Sequence, residues 1–349
     1  MSDYPYNVIQ TEYDGTHSYL LEYINKCKSG EILIGHELML MLDILLTHFD
    51  DPEIKVDFED GHKRIKFIET KCKHFEAPFA GRPFLLELFQ KAFVEAIYIF
   101  KIFDDEINRW VRLYQDILFL VARKNGKTPL ISALCLAEFF CGELGTRILC
   151  SSNDYEQADL MFQAIDSMRE ESRSLEKVTR SNIKRIFFGN PKKQKKTGKF
   201  SYKNKGQIKK ISAKTGAKEG KNIKVGAVDE VHELKDNTST MPIRQAVSTQ
   251  DEPLYIELTT EGVINDGYLD ERLIEVDTEL PTSVKYNEAE DYYNGIVNSN
   301  TGEVIKYADG PGGLAALFSY NYILDGGENS KTGYVRATGK IDYDVRILG

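Results

Sequence analysis

Eight residues, Val121-Ala122-Arg123-Lys124-Asn125-Gly126-Lys127-Thr128, have the types and spacing of a loop that cradles phosphate. A glycine lets backbone N–H groups curl around an anion. A lysine beside it reaches β- and γ-phosphates, and the next hydroxyl holds Mg²⁺. Gly126, Lys127 and Thr128 supply these three groups, and Ala122, Lys124 and Asn125 complete the backbone cradle. The start of a helix just after the loop adds partial positive charge at the same place. Arg123 lies inside the loop, where a guanidinium could stabilise charge on a transferred phosphoryl group. The usual pattern opens on glycine and this chain has Val121, so Gly-Lys-Thr alone also reads as an ordinary strand-to-helix turn.

A second group lies about a hundred residues downstream, where the apolar run Lys224 to Val228 ends in Asp229-Glu230-Val231-His232. A nucleotide hydrolase needs one carboxylate to place Mg²⁺ through water and another to orient or deprotonate the attacking water. Asp229 suits the first role and Glu230 the second. A third run, Leu254 to Leu258, ends in Thr259-Thr260-Glu261-Gly262, whose hydroxyls could sense the γ-phosphate; a polar turn after a strand is the alternative.

These groups require elements to hold them. Strand candidates at 117–122, 146–151, 225–228 and 254–258 alternate with helix candidates at 127–140 and 156–169. That alternation implies an α/β fold, a mostly parallel sheet with helices on both faces and ATP at the carboxyl ends of its strands. A β insertion is expected near 184–224, within a domain running from 76 to 280. Residues 1–75 read as a small separate α+β piece: a helix at 36–49, then two alternating runs around Asp60-Gly61 that signal a hairpin.

The ordered motifs resemble the large terminase subunit of tailed double-stranded DNA bacteriophages, over roughly residues 75 to 275. Ala122 to Thr128 is similar to that family's phosphate loop, which commonly lacks the first glycine. Val228 to His232 resembles its acidic motif, and Leu258 to Gly262 its coupling motif, which links hydrolysis to DNA movement through Thr259, Thr260 and Glu261. Gln90 resembles the family's adenine-reading glutamine. The resemblance implies a P-loop NTPase of RecA/ASCE-like type that hydrolyses ATP with Mg²⁺. It also implies double-stranded DNA, a portal ring and a small terminase subunit as partners, a homo-oligomeric ring, and work in the host cytoplasm on the procapsid.

The net charge of −9 conceals fifteen Lys or Arg against one acid between Lys184 and Lys224. Lys192, Lys193, Lys195, Lys196, Lys209 and Lys210 in that strip are candidates for sequence-independent contact with the DNA backbone; a solvated lysine-rich loop is the other reading. Five cysteines without a Cys-x-x-Cys pair argue for reduced thiols over a zinc or disulfide framework. No apolar run reaches the roughly 20 residues of a membrane span, and Met1 to Tyr13 carries no secretory pattern. Residues 281–349 are rich in Gly, Asn and Tyr and read as a poorly defined tail too short for a nuclease domain. Two other functions fit some of these features. One is a DExH-type helicase, since Asp229 to His232 spells that box; the other is a nucleotide-binding scaffold without turnover.

Overall fold

The computed structural model describes residues 17–120, 125–152, 155–189, 192–193, 200–201, 206–210, 223–260 and 267–279, with the backbone of two strands at 315–322 and 341–348. The chain opens with helices α1 (Tyr19–Lys28) and α2 (His36–Thr47), strand β1 (Ile54–Val56) and helix α3 (Phe58–Lys71). Helix α4 (Leu88–Tyr98) and strands β2 (Phe100–Asp104) and β3 (Arg109–Arg112) follow, and β1, β2 and β3 form an antiparallel sheet.

The hairpin expected around Asp60-Gly61 is instead the first turn of α3. Asp57 caps that helix by accepting the Asp60 N–H at 3.4 Å. The buried residues Gly61, Ile65 and Ile68 recur at helical spacing, which outweighs the short alternation Ile65-Lys66-Phe67. Gly61 is required by close packing: a Cβ there would lie 2.9 Å from Ile99 Cγ2. Nor does the N-terminal piece stand apart. Arg64 of α3 donates to the buried Glu138 Oε1 at 2.6 Å, and one hydrophobic core runs from Tyr19 through to Leu269.

The second layer continues with β4 (Asp116–Leu120), α5 (Lys127–Cys141), β5 (Arg147–Ser152), α6 (Tyr155–Glu171) and α7 (Arg173–Val178). Short strands β6 (Thr179–Asn182), β7 (Arg185–Phe188), β8 (Lys192–Lys193), β9 (Phe200–Ser201) and β10 (Gln207–Lys210) come next. Then follow β11 (Val225–Asp229), α8 (Met241–Val247), β12 (Leu254–Thr259) and α9 (Tyr268–Glu279). Strands β13 (Ala315–Tyr322) and β14 (Ile341–Leu348) pair antiparallel with each other.

The main sheet has seven strands in the order β4-β12-β11-β5-β10-β7-β6. The first five are parallel, and β7 and β6 are antiparallel additions. The basic segment thus extends the sheet, because β10 pairs with β5 on one side and β7 on the other. Every residue of β11 and β12 is buried, as expected for parallel strands covered by helices on their faces. Strand β12 lies between β4 and β11, so the loop after β4, the threonines at the end of β12 and the acids at the end of β11 lie side by side at the carboxyl ends of the strands.

Candidate nucleotide-binding and hydrolytic site

Strand β4 delivers the chain to the phosphate-loop sequence. Residues 121–124, including Ala122, Arg123 and Lys124, lie outside the described residues. Asn125 and Gly126 lead into α5, where Gly126 is the N-cap with φ +74° and ψ 22°. That left-handed backbone suits glycine because any Cβ would crowd the following carbonyl. The Gly126 carbonyl accepts the Leu130 N–H at 3.0 Å, so the helix begins at once, with Lys127 and Thr128 as its first residues. No acidic side chain lies in this first turn, which leaves its positive dipole end uncompensated for an anion.

Gln90 comes to the same place from α4. Its Oε1 accepts the Glu87 N–H at 3.0 Å, which leaves its Nε2 donors for other partners. That nitrogen sits 3.9 Å from where a Cβ on Gly126 would be. The upstream glutamine and the loop glycine, 36 positions apart in sequence, are therefore neighbours in space.

The acids arrive from β11. Asp229 is the last residue of the strand, pairs with Ser152 of β5, and has its carbonyl held by Ser152 Oγ at 2.9 Å. Glu230 follows with φ +56° and ψ 46°, a conformation uncommon for a residue with a long side chain and typical of functional turns. Its N–H donates to Asp229 Oδ1 at 2.9 Å. Glu230 Oε1 receives Lys127 Nζ at 2.7 Å, so the lysine of the loop and the acid after β11 meet directly.

A second contact runs from Glu230 to β12. His232 Nδ1 lies 3.1 Å from Glu230 Oε2 and hydrogen-bonds Thr259 Oγ1, also at 3.1 Å. Thr259 Oγ1 accepts the His232 backbone N–H as well, at 3.1 Å, and donates its proton to the Thr260 carbonyl at 2.8 Å. Thr259 and Thr260 are both buried, and the Thr260 hydroxyl has no partner. Glu261 lies outside the described residues.

The two acids differ in charge state. Burial pushes the Asp229 carboxyl up to about 6, against the opposing pull of Lys127. Burial also acts to raise Glu230, but the neighbouring His232 ring and the Lys127 ammonium overcome it and hold that carboxyl at about 2. A buried carboxylate short of positive charge fits a divalent cation. Among the described residues no cluster of three or more His, Cys, Asp or Glu could cage a metal. Asp229 and the Thr128 hydroxyl are the groups here that could hold such a cation.

A sequence model described as "Terminase large subunit, ATPase domain" matches residues 89–277. The chain belongs to this family. The large terminase subunit of Enterobacteria phage HK97 is 34% identical over 104 residues, which cover 29% of this chain and 19% of that protein. The crystal structure of the HK97 large terminase aligns with a TM-score of 0.49 at 22% identity, over 66% of this chain and 45% of that one. The ATPase domain of the Thermus phage P74-26 large terminase aligns at 0.36 and 16% identity, over 46% of this chain and 64% of that one. The chain thus matches a fifth or less of the curated relative's length and under half of the HK97 structure.

In this terminase ATPase domain Gln90 neighbours Gly126, Lys127 pairs with Glu230, Glu230 N–H donates to Asp229, and Thr259 meets Glu230 only through His232. The basic strip requires a correction. Lys210 is buried, ion-paired to Asp159 and set 5.2 Å from the centre of the Phe162 ring, so it cannot serve as a solvated DNA contact. Lys209 is half-buried. Lys192 and Lys193 lie on β8, with side chains outside the described residues, as Lys195 and Lys196 are entirely.

Sequence reasoning missed a buried ion network beneath the site. Glu257, fully buried in β12, accepts Tyr255 OH at 2.6 Å, Tyr268 OH, and Arg272 Nε at 2.8 Å. Arg272 also pairs with Asp116 at the start of β4, and Arg244 of α8 reaches the same carboxylate at 2.6 Å. The network ties α8 and α9 to the two strands that carry the loop and the threonines. The only sequence signal was a charged residue inside the apolar run Leu254 to Leu258.

Proposed function

We propose that this chain is the ATP-hydrolysing motor part of a phage machine that packages double-stranded DNA. The observation that carries this reading is the 2.7 Å pair between Lys127 Nζ and Glu230 Oε1 in a terminase ATPase domain. It brings the phosphate-binding lysine and the candidate base within one hydrogen bond of each other. The substrate is ATP. Its phosphates would lie along Asn125 to Thr128 at the start of α5, with Ala122 and Lys124 completing the cradle and Gln90 on the adenine side. Mg²⁺, held by Thr128 and Asp229, would neutralise charge on the β- and γ-oxygens.

Lys127 then exchanges its carboxylate partner for a phosphate. Glu230, freed from the lysine but still beside His232, orients and deprotonates the attacking water. Arg123 supplies positive charge to the transferred group. Thr259, Thr260 and Glu261 pass the change at the γ-position to the rest of the domain. DNA engages the basic strip through Lys192, Lys193, Lys195, Lys196 and Lys209, without reading sequence. The partners follow as a portal ring, a small terminase subunit and further copies of the chain in a ring, acting in the host cytoplasm. A DExH helicase is disfavoured by the family match, and a scaffold without turnover by the poised Lys127–Glu230 pair.

The test is the rate of Mg²⁺-dependent ATP hydrolysis with no nucleic acid, with single-stranded DNA and with duplex DNA of mixed sequence. A packaging motor is stimulated by the duplex whatever its sequence. Preferential stimulation by single strands would favour the helicase reading, and ATP binding without turnover would favour the scaffold.

A further inference from the structure

The contacts of Thr259 determine where the proton sits on His232. A threonine hydroxyl has one proton and two acceptor positions. Thr259 directs that proton to the Thr260 carbonyl at 2.8 Å. Both remaining positions therefore accept, one from the His232 backbone N–H and one from the ring Nδ1, each at 3.1 Å. The ring nitrogen facing Thr259 must carry hydrogen. Glu230 Oε2 lies at the same 3.1 Å from Nδ1, yet it is buried and makes no hydrogen bond, since the N–H is directed to Thr259. One donor faces two acceptors and serves one of them.

We propose that His232 is a positioning residue whose Nδ1–H alternates between the Thr259 hydroxyl and the Glu230 carboxylate, so that the setting of the hydrolytic acid and the end of β12 change together. This rests on the reading of Glu230 as the water-orienting base. While Lys127 occupies Glu230 Oε1, that carboxylate has a cation of its own and the imidazole N–H stays on Thr259. When Lys127 is drawn to a polyanion, Glu230 loses that partner and becomes the stronger acceptor for the imidazole. The N–H then leaves Thr259, which keeps only the backbone donor. The exchange moves no proton between heavy atoms; it redirects one hydrogen bond from a neutral to a charged acceptor. It links the nucleotide site to the strand whose following residues resemble a coupling motif.

Three variants of the full chain test this: His232→Asn, whose amide nitrogen can stand where Nδ1 stands; His232→Gln, whose amide reaches the Nε2 position; and Thr259→Val, which keeps the shape and removes the hydroxyl. In the nucleotide-free chain, ¹⁵N spectra of the histidine rings should show one protonated Nδ1 that is absent from His232→Asn and shifted in Thr259→Val. A bare Nδ1 at His232, or a signal unmoved by Thr259→Val, overturns the proposal. In the hydrolysis assay His232→Gln should lower kcat about 10- to 100-fold, as loss of a group orienting a reactive ligand does. KM and the affinity for a fluorescent ADP analogue should stay within about twofold. His232→Asn should recover most of the loss. Equal losses in the two variants, or losses confined to KM, would mean that His232 only packs. If the wild type shows no turnover, the motor reading fails separately, and the ring spectra still decide the placement of the proton.

Discussion

Replacing Glu230 with glutamine should make the protein bind ATP more tightly while it stops hydrolysing it. Lys127 is engaged by Glu230 at 2.7 Å, with side-chain exposures of 10% and 27%. The Glu230 carboxyl, held at about 2, carries its negative charge at assay pH. Nucleotide binding must take the lysine away from it. A hydrogen bond between charged groups contributes about 1.5–3 kcal/mol, and partial exposure of this pair lowers that to about 1–2 kcal/mol. Glutamine keeps the size and a weaker neutral contact, and it removes a negative charge facing the phosphates. The dissociation constant for a fluorescent ATP analogue with Mg²⁺, read by anisotropy, should therefore fall about 5- to 30-fold. Loss of the base should lower kcat by at least about 100-fold. Unchanged or weaker binding by a folded Glu230→Gln protein would refute the idea that this ion pair opposes nucleotide.

Three further outcomes follow from the same geometry. The Asp229 carboxyl is raised from 3.8 to about 6, so the folded state holds its proton more tightly than the unfolded chain. That contribution is full below pH 3.8 and lost as pH rises through about 6, at a cost of order 3 kcal/mol. Asp229→Asn should therefore melt higher than wild type at pH 7.5 without Mg²⁺, the gap closing as pH falls through 6; a constant gap would refute the shift. Arg272→Met leaves Glu257 and Asp116 buried without their shared cation, which costs about 3–5 kcal/mol. At about 2–4 °C per kcal/mol the melting temperature should fall by about 6–20 °C, and a loss under about 2 °C would show the network is dispensable. Gly126→Ala places a side chain at φ +74° with only Gln90 Nε2 nearby at 3.9 Å. The backbone penalty of about 1–2 kcal/mol should appear as about tenfold weaker nucleotide binding by titration calorimetry; unchanged affinity would show that the left-handed turn is not needed.

The parts of the site legible in the sequence were those encoded locally. Gly126-Lys127-Thr128 before an apolar helix, and Asp229-Glu230 after an apolar strand, carry their chemistry in adjacent residues. The Lys127–Glu230 contact was not legible, because it depends on β12 lying between β4 and β11, a matter of strand order that periodicity does not report. Helix α3 was misread because Asp60-Gly61 carries a strong turn signal, while the requirement for Gly61 comes from Ile99, 38 positions away. Lys210 was misread for the opposite reason. A run of lysines announces charge but not burial, and its partner Asp159 sits on α6, 51 positions earlier. The Glu257–Arg272–Asp116 network joins residues up to 156 positions apart, so only the folded chain reveals it.

On the proposed function, Lys127 and Glu230 form one hydrolytic site. Phosphate release from ATP with Mg²⁺ tests it most directly, with the full chain beside Lys127→Ala and Glu230→Ala. Turnover is expected in the wild type and none above background in either variant, with ATP binding lost in Lys127→Ala and kept in Glu230→Ala. Undiminished turnover in either variant, or no turnover by a wild type that binds ATP, would contradict it.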